Sequence, residues 1–188
     1  MAAYYVSDGD FPSRANPEGR QLEHLLDDMQ VVRIPGGSNP VEVRLLDING
    51  TSVDLADFRG KIVFLNFWAT WCPTCVVEMP AMEKLHQKLR NKDFAMVTIS
   101  IQEPASHVKN FFNINKLTFT ALLDSTGEAV SGFGIRAIPT TFILDKSGRM
   151  IGAVMGPREW DSKASIAMFE YLIDNDAAIS KFHQADPG

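Results

Sequence analysis

The most constraining feature of this chain is a seven-residue apolar run that ends just before a close pair of cysteines. Ile62-Val63-Phe64-Leu65-Asn66-Phe67-Trp68 is interrupted only by Asn66. A strand with one wet face alternates polar and apolar residues. A near-continuous run reads instead as a strand covered on both faces, as in the middle of a parallel sheet. Ala69-Thr70-Trp71-Cys72-Pro73-Thr74-Cys75 follows at once, and from about 73 to 90 the pattern is helical, with Cys75, Met79, Met82, Leu85 and Leu89 on one stripe. Strand, Cys-x-x-Cys and helix thus come in direct succession.

Around this unit the chain punctuates itself. Residues 1–16 read as a loose arm, and 17–30 as a short helix with Leu22, Leu25, Leu26 and Met29 on one side. Pro35-Gly36-Gly37-Ser38-Asn39-Pro40 is a break. Strands over 41–47 and 52–54 flank Asn49-Gly50, which favours a tight hairpin turn because both residues tolerate positive φ. Asn49-Gly50-Thr51 also matches a glycosylation sequon, but such matches are common by chance. Later expected elements are a strand at 94–101, a helix at 105–115, a strand at 118–123 and a short helix at 126–133. Strands at 140–145 and 149–155 and a helix at 159–174 complete the pattern. Alternating strands and helices give an α/β layer structure with a mixed sheet. Lys146-Ser147-Gly148-Arg149 makes the last two strands an antiparallel hairpin. Pro80 lies inside the long helix and is expected to kink it. The expected organisation is an arm with a short helix over 1–39, one α/β domain over 40–176 and a tail over 177–188, within the compass of 188 residues.

Composition excludes several functions. With 45% hydrophobic residues there is material for a normal core. No apolar run approaches the ~20 residues of a membrane helix, so no span is expected. A net charge of -5 without a Lys/Arg block argues against nucleic acid as a partner. The two cysteines are the whole cysteine inventory, and a bridge between them closes too short a loop to staple the fold. The start Met1-Ala2-Ala3-Tyr4-Tyr5 lacks a signal pattern and, read literally, means a cytoplasmic protein; a signal or anchor encoded upstream is the alternative.

The cysteines then have a chemical reading. Cys72 opens the helix, where unpaired N–H groups and the positive end of the helix dipole favour a thiolate over a thiol. Thiols so placed have pKa values from ~3.5 to ~7.5, against ~8.5 for a free cysteine. Pro73 suits the first helical turn. Cys72 is expected to be the exposed attacking sulfur, with Cys75 one turn in to resolve a mixed disulfide. Zinc would need four ligands, but there is no second cysteine pair and His24, His86, His107 and His183 are scattered. Covalent haem attachment would need His where Val76 stands. No metal and no other cofactor is therefore expected. Glu78 falls within the apolar arc, where desolvation would raise its pKa and equip it to take the Cys75 proton; equally, it can lie at the edge of the arc and reach solvent. Asn66 reads as a satisfied core amide or as a group behind the cysteines that shapes proton transfer. His86, within the apolar stripe, reads as a satisfied core histidine. Pro139, in Ile138-Pro139-Thr140-Thr141-Phe142, starts a strand, with a trans peptide as the default.

Asn66-Phe67-Trp68-Ala69-Thr70-Trp71-Cys72-Pro73-Thr74-Cys75, then Glu78-Met79-Pro80, then Ile138-Pro139-Thr140-Thr141-Phe142, resembles the TlpA/ResA-like thiol–disulfide oxidoreductases of the thioredoxin superfamily. Leu55 to Lys61 looks like the family's lead-in to its first core strand, and the resemblance spans about 40–160. It implies a thioredoxin fold: a mixed central sheet flanked by helices, an N-terminal β-hairpin extension and a helix-plus-strand insertion over 103–123. It implies Cys72 as nucleophile, Cys75 as resolving thiol and Glu78 as the active-site acid. Asn66 stands where ordinary thioredoxins carry a buried Asp and is a structural support. Pro139 becomes a cis-proline facing the disulfide. The Ile138 backbone pairs with a bound substrate strand, and Trp71, Pro73 and Thr74 complete the substrate contact. The redox-active Cys72–Cys75 pair is then the whole redox equipment. The resemblance further implies disulfide-bearing protein partners outside the cytoplasm, as in cytochrome c maturation, a membrane or thioredoxin-type electron donor, and a monomer. The Pro73-Thr74 dipeptide departs from the Pro-Pro or Glu-Pro of many relatives, which leaves a disulfide donor as the alternative to a reductase. A copper-binding chaperone on the same fold would use Cys-x-x-x-Cys and a downstream His, and a peroxiredoxin another pattern before its cysteine.

Overall fold

The computed structural model describes residues 17–34 and 39–184. The expected loose arm over 1–16, most of the break after Ile34 and the last four residues of the expected tail lie outside them. In chain order the elements are α1 (Pro17–Asp28), β1 (Val32–Arg33), β2 (Arg44–Asp47), β3 (Ser52–Asp54), a 3-10 turn (Leu55–Phe58), β4 (Ile62–Trp68) and α2 (Pro73–Leu89). Then come β5 (Phe94–Ile101), α3 (Ala105–Asn115), β6 (Thr120–Asp124), α4 (Glu128–Gly132), β7 (Thr140–Leu144), β8 (Met150–Met155), α5 (Lys163–Asp174) and α6 (Asp176–Gln184).

The strands form an eight-stranded sheet in the order β1-β8-β7-β4-β5-β6-β2-β3. β4, β5 and β6 are parallel, with Ile62 opposite Phe94 and Trp68 opposite Ser100. β7, β8 and β1 add antiparallel on one side, and the β2–β3 hairpin adds antiparallel on the other. The expected mixed sheet, hairpin extension and helix-plus-strand insertion are all present, and β6 of the insertion is an inner strand.

β4 sits in the middle, and its composition follows from that position. Successive side chains of a strand point to opposite faces. Ile62, Phe64 and Trp68 enter a core shared with α1, α2, α3, α5 and α6, while Val63, Leu65 and Phe67 enter a second core with Leu55 and Ala129 of the 3-10 turn and α4. Both faces are dry, so both need apolar side chains. Asn66 falls on the face of Phe64 and Trp68, and that places its amide beneath α2.

Local chemistry explains where the boundaries differ from expectation. In the β2–β3 hairpin only Gly50 of the Asn49-Gly50 pair has positive φ, at 85°. The turn is organised by Asp47, whose carboxylate accepts the N–H groups of Asn49 and Thr51, both at 2.8 Å. α5 starts at Lys163 and not at 159, because the Ser162 hydroxyl accepts the Ser165 N–H at 3.2 Å and caps the helix there. That leaves Trp160 in the connection after β8. α2 runs from Pro73 to Leu89 with Pro80 inside it; proline lacks the N–H that would pair with the Val76 carbonyl. Residues 177–184, expected as tail, belong to α6, which buries Ala178, Ile179 and His183. His183 Nε2 lies 3.0 Å from Asp145 Oδ2 in the β7–β8 turn. β1 was not foreseen, since two residues carry no readable period. Among the described residues no helix is long and apolar enough to cross a membrane.

Candidate active site

Cys72 is the N-cap of α2, with extended backbone (φ -92°, ψ 104°), and Pro73 occupies the first helical turn. The Cys75 N–H donates to Cys72 Sγ at 3.2 Å, so a first-turn amide points at the sulfur as the helix-start reading requires. The two cysteines are joined as a disulfide. Thr74 Oγ1 lies 3.4 Å from Cys72 Sγ and the Ile138 carbonyl oxygen 3.9 Å from it. The Ile138–Pro139 peptide is cis, and Pro139 is buried beside the pair. Trp71, Pro73 and Thr74 are exposed around the sulfurs, Trp71 at 67%. The structure thus brings together Trp71, Cys72, Pro73, Thr74, Ile138 and Pro139, which lie up to 68 positions apart in sequence.

One expectation needs correcting. Cys72 was expected to be exposed, yet in the closed disulfide it is only 5% exposed, and Cys75 is fully buried. The cis-proline segment on one side and Thr74 on the other cover the Cys72 sulfur. It is the more accessible of the two, but access is narrow.

Glu78 resolves to the inner face: it is 3% exposed and lies one turn after Cys75. Its two oxygens have different company. Oε1 accepts from Asn66 Nδ2 at 3.1 Å, and Oε2 accepts from Trp160 Nε1 at 2.8 Å and from the Arg158 backbone N–H at 3.2 Å. Burial drives its pKa from 4.5 up to about 7, against the opposing pull of these three donors and the Arg158 charge. A buried carboxyl that titrates near neutrality can take or give a proton at working pH. Asn66 is fully buried and also donates to Thr141 Oγ1 at 2.9 Å, so it ties β4, α2 and β7 together. His86 packs edge-on against Phe119 at 6.1 Å, and burial holds its pKa below the usual histidine value. Its Nδ1 is buried without a hydrogen-bond partner, so it is not the satisfied core histidine expected. Among the described residues no group of three or more His, Cys, Asp or Glu converges to hold a metal ion.

Two site residues were not singled out from the sequence. Glu103 follows β5 and is buried; its carboxylate accepts from the Thr70 N–H at 2.8 Å, from the Thr70 hydroxyl and from Ser100 Oγ at 2.7 Å. It fastens the turn before Cys72 to the end of β5. Replacing it with Ala strands three donors, and each stranded buried donor costs about 1–3 kcal/mol. The Glu103→Ala protein is therefore expected to lose roughly 3 kcal/mol in urea denaturation; an unchanged midpoint would show that these bonds do not hold the turn. Trp160 is the other, and its only signal was that a buried indole N–H needs an acceptor.

The Redoxin family profile matches residues 33–168, well over half of the chain. The chain belongs to the redoxin family. A protein named thiol–disulfide oxidoreductase ResA from Bacillus thuringiensis subsp. konkukian is 39% identical to this redoxin over 110 residues, 58% of this chain and 64% of that protein. The match thus covers slightly less than two thirds of that relative's length. The ResA of Geobacillus thermodenitrificans is 35% identical over 120 residues, 64% of this chain and 69% of the relative. Among solved structures, a putative thiol:disulfide interchange protein DsbE from Chlorobium tepidum superposes with a TM-score of 0.65 at 26% identity, covering 78% of this redoxin and 99% of that chain. The thioredoxin-like fold and the ResA-like resemblance expected from the motifs are therefore both shown.

Proposed function

We propose that this redoxin is a thiol–disulfide oxidoreductase that reduces disulfides of partner proteins outside the cytoplasm, in the manner of the cytochrome c maturation enzymes. The observation that carries the proposal is the Cys72–Cys75 pair at the start of α2, with a buried, near-neutral carboxyl one turn further on. The names of the relatives, thiol–disulfide oxidoreductase ResA and thiol:disulfide interchange protein DsbE, support the same chemistry. The compartment and the cytochrome c pathway are carried by the family resemblance.

In the reduced form, Cys72 as a thiolate attacks one sulfur of the partner disulfide. A Cys72–partner bond forms, the partner S–S bond breaks, and the partner's second sulfur leaves as a thiolate that takes up a proton. Cys75 then gives its proton to Glu78 and attacks Cys72 Sγ. The Cys72–Cys75 bond forms and the partner's first sulfur leaves. Two electrons pass from the pair to the partner, and the pair ends in the bonded form seen here. A membrane or thioredoxin-type donor of two electrons restores the dithiol. In this reading the Ile138 backbone, in the cis-proline segment, pairs with an extended partner strand, as the family resemblance implies. The pair itself supplies the redox chemistry.

Removing the resolving thiol tests this order of events. A Cys75→Ser protein incubated with an oxidised substrate is expected to accumulate a mixed disulfide through Cys72, seen by mass spectrometry and released by dithiothreitol. Absence of the adduct while wild type turns over would overturn the assignment of Cys72 and Cys75. Direction follows from an equilibrium titration against glutathione. A potential near that of thioredoxin, about -270 mV, fits the reductase, and one near about -120 mV makes the chain a disulfide donor with the same site.

A further inference from the structure

The connection between β8 and α5 holds no strand, yet it reaches back to the buried carboxyl of Glu78 one turn after Cys75. Trp160 is fully buried, and its ring meets Phe64 of β4 edge-on at 4.7 Å and Phe169 of α5 at 6.5 Å. Its Nε1–H donates to Glu78 Oε2 at 2.8 Å, the shortest of the three bonds to that carboxyl. The Arg158 backbone N–H converges on the same oxygen at 3.2 Å. The Arg158 guanidinium in turn donates to Gln30 Oε1 at 3.0 Å, which ties this connection to the end of α1.

The bonds are unequal in kind. Oε2 receives two N–H donors, and Oε1 receives one, from Asn66. A carboxylate oxygen has two lone-pair directions. Oε2 is therefore filled and Oε1 keeps one direction open. Both donors at Oε2 are fixed N–H groups that cannot reverse into acceptors, so they favour the charged carboxylate and oppose a proton on that oxygen. Asn66 Nδ2 comes from β4, Cys75 precedes Glu78 on α2, and Arg158 supplies the charge whose field lowers the pKa of Glu78.

We propose that Trp160 is a positioning residue of the exchange reaction: its indole N–H, with the Arg158 backbone N–H, pins Glu78 Oε2 and leaves Oε1 to receive the Cys75 proton. This rests on the reading that Glu78 accepts that proton, and it adds which group aims the carboxyl and keeps it ionised. In the resolving step the Cys75 S–H bond breaks, an O–H bond forms at Oε1, and the indole N–H stays in place throughout. Removing the indole donor while keeping an aromatic ring on Phe64 withdraws one charge-assisted bond, which raises the pKa of Glu78 by about one unit.

The test uses the full chain and reads the carboxyl directly. In wild type, the Trp160 Nε1–H resonance is expected to titrate with the same midpoint as the 13C-labelled carboxyl of Glu78, and in Glu78→Gln that titration disappears. In Trp160→Phe the Glu78 midpoint is expected to move up by about one pH unit, and resolution of the mixed disulfide at pH 7 to slow up to about tenfold, recovering at higher pH. An indole resonance flat from pH 5 to 9, or an unmoved Glu78 midpoint in Trp160→Phe, overturns the proposal. A moved midpoint with an unmoved pH profile of resolution overturns the role of Glu78 instead. The wild-type titration stands even if the variant fails to fold.

Discussion

A Cys72→Ser protein is expected to reduce insulin no faster than dithiothreitol does alone. The reaction begins with attack by the Cys72 sulfur, and the rest of the site acts on what that attack produces. Serine keeps the N-cap, because a hydroxyl oxygen accepts the Cys75 N–H as the sulfur does at 3.2 Å. The fold and the start of α2 therefore stay intact, and the loss is chemical. Its thiolate is lost, and an alcohol at the same place is a far weaker nucleophile near neutral pH. Insulin turbidity with wild type, Cys72→Ser and no enzyme gives the comparison. A variant as fast as wild type would sink the oxidoreductase reading altogether.

Glu78→Gln is expected to change two measurements at once. In catalysis it removes the proton acceptor one turn from Cys75, and general bases of this kind are worth about 10²–10⁴-fold. Stopped-flow decay of the mixed disulfide should slow by roughly that factor near pH 7, while attack by Cys72 is little changed. In stability the effect follows from the raised pKa. Folded Glu78 titrates at about 7 and the ordinary value is 4.5. The folded state therefore holds its proton more tightly. The associated stabilisation is fully present below pH 4.5 and is lost as pH rises through about 7. The gap between the two values corresponds to about 3 kcal/mol. Burial lowers the pKa values of His86 and His183, and their contribution rises with pH up to the unfolded histidine value. The informative quantity is thus the difference between the two proteins. Urea denaturation of oxidised wild type and Glu78→Gln at pH 5 and pH 8 should show wild type losing about 2–3 kcal/mol relative to the variant, because a small part of the effect is already lost at pH 5. Parallel pH dependences would mean that Glu78 is not desolvated as the structure has it.

Much of the fold was legible because it depends on short-range patterns. The near-continuous apolar run over 62–68 read as a strand with two dry faces, and β4 is that strand, between β5 and β7. The stripe Cys75, Met79, Met82, Leu85, Leu89 placed the buried face of α2, and all five are buried. Two elements that depend on distant partners left no readable mark in the sequence. β1 exists because Val32 and Arg33 meet Ala153 and Gly152 on the far edge of β8. α6 exists because Ile179 and His183 find the core and the Asp145 turn.

The same division runs through the candidate site and through the cysteines with which the chain was first read. Their spacing, the strand before them, the helix after them and Pro73 in its first turn are local, and the sequence alone assigned them a redox chemistry. The covering of Cys72 was only partly local: Thr74 lies two residues away, but Ile138 and Pro139 are more than sixty. For Glu78 the sequence left two outcomes, an inner carboxyl or one reaching solvent. Periodicity places a side chain on a helix face, but only the neighbours decide whether that face is dry. Asn66, Arg158 and Trp160 close around Glu78 from two other parts of the chain; the burial lifts the carboxyl to about 7, while their N–H groups hold it below where burial alone would put it. Cysteine chemistry is set by the helix start that the sequence writes; proton chemistry is set by burial, which exists only once the chain has folded.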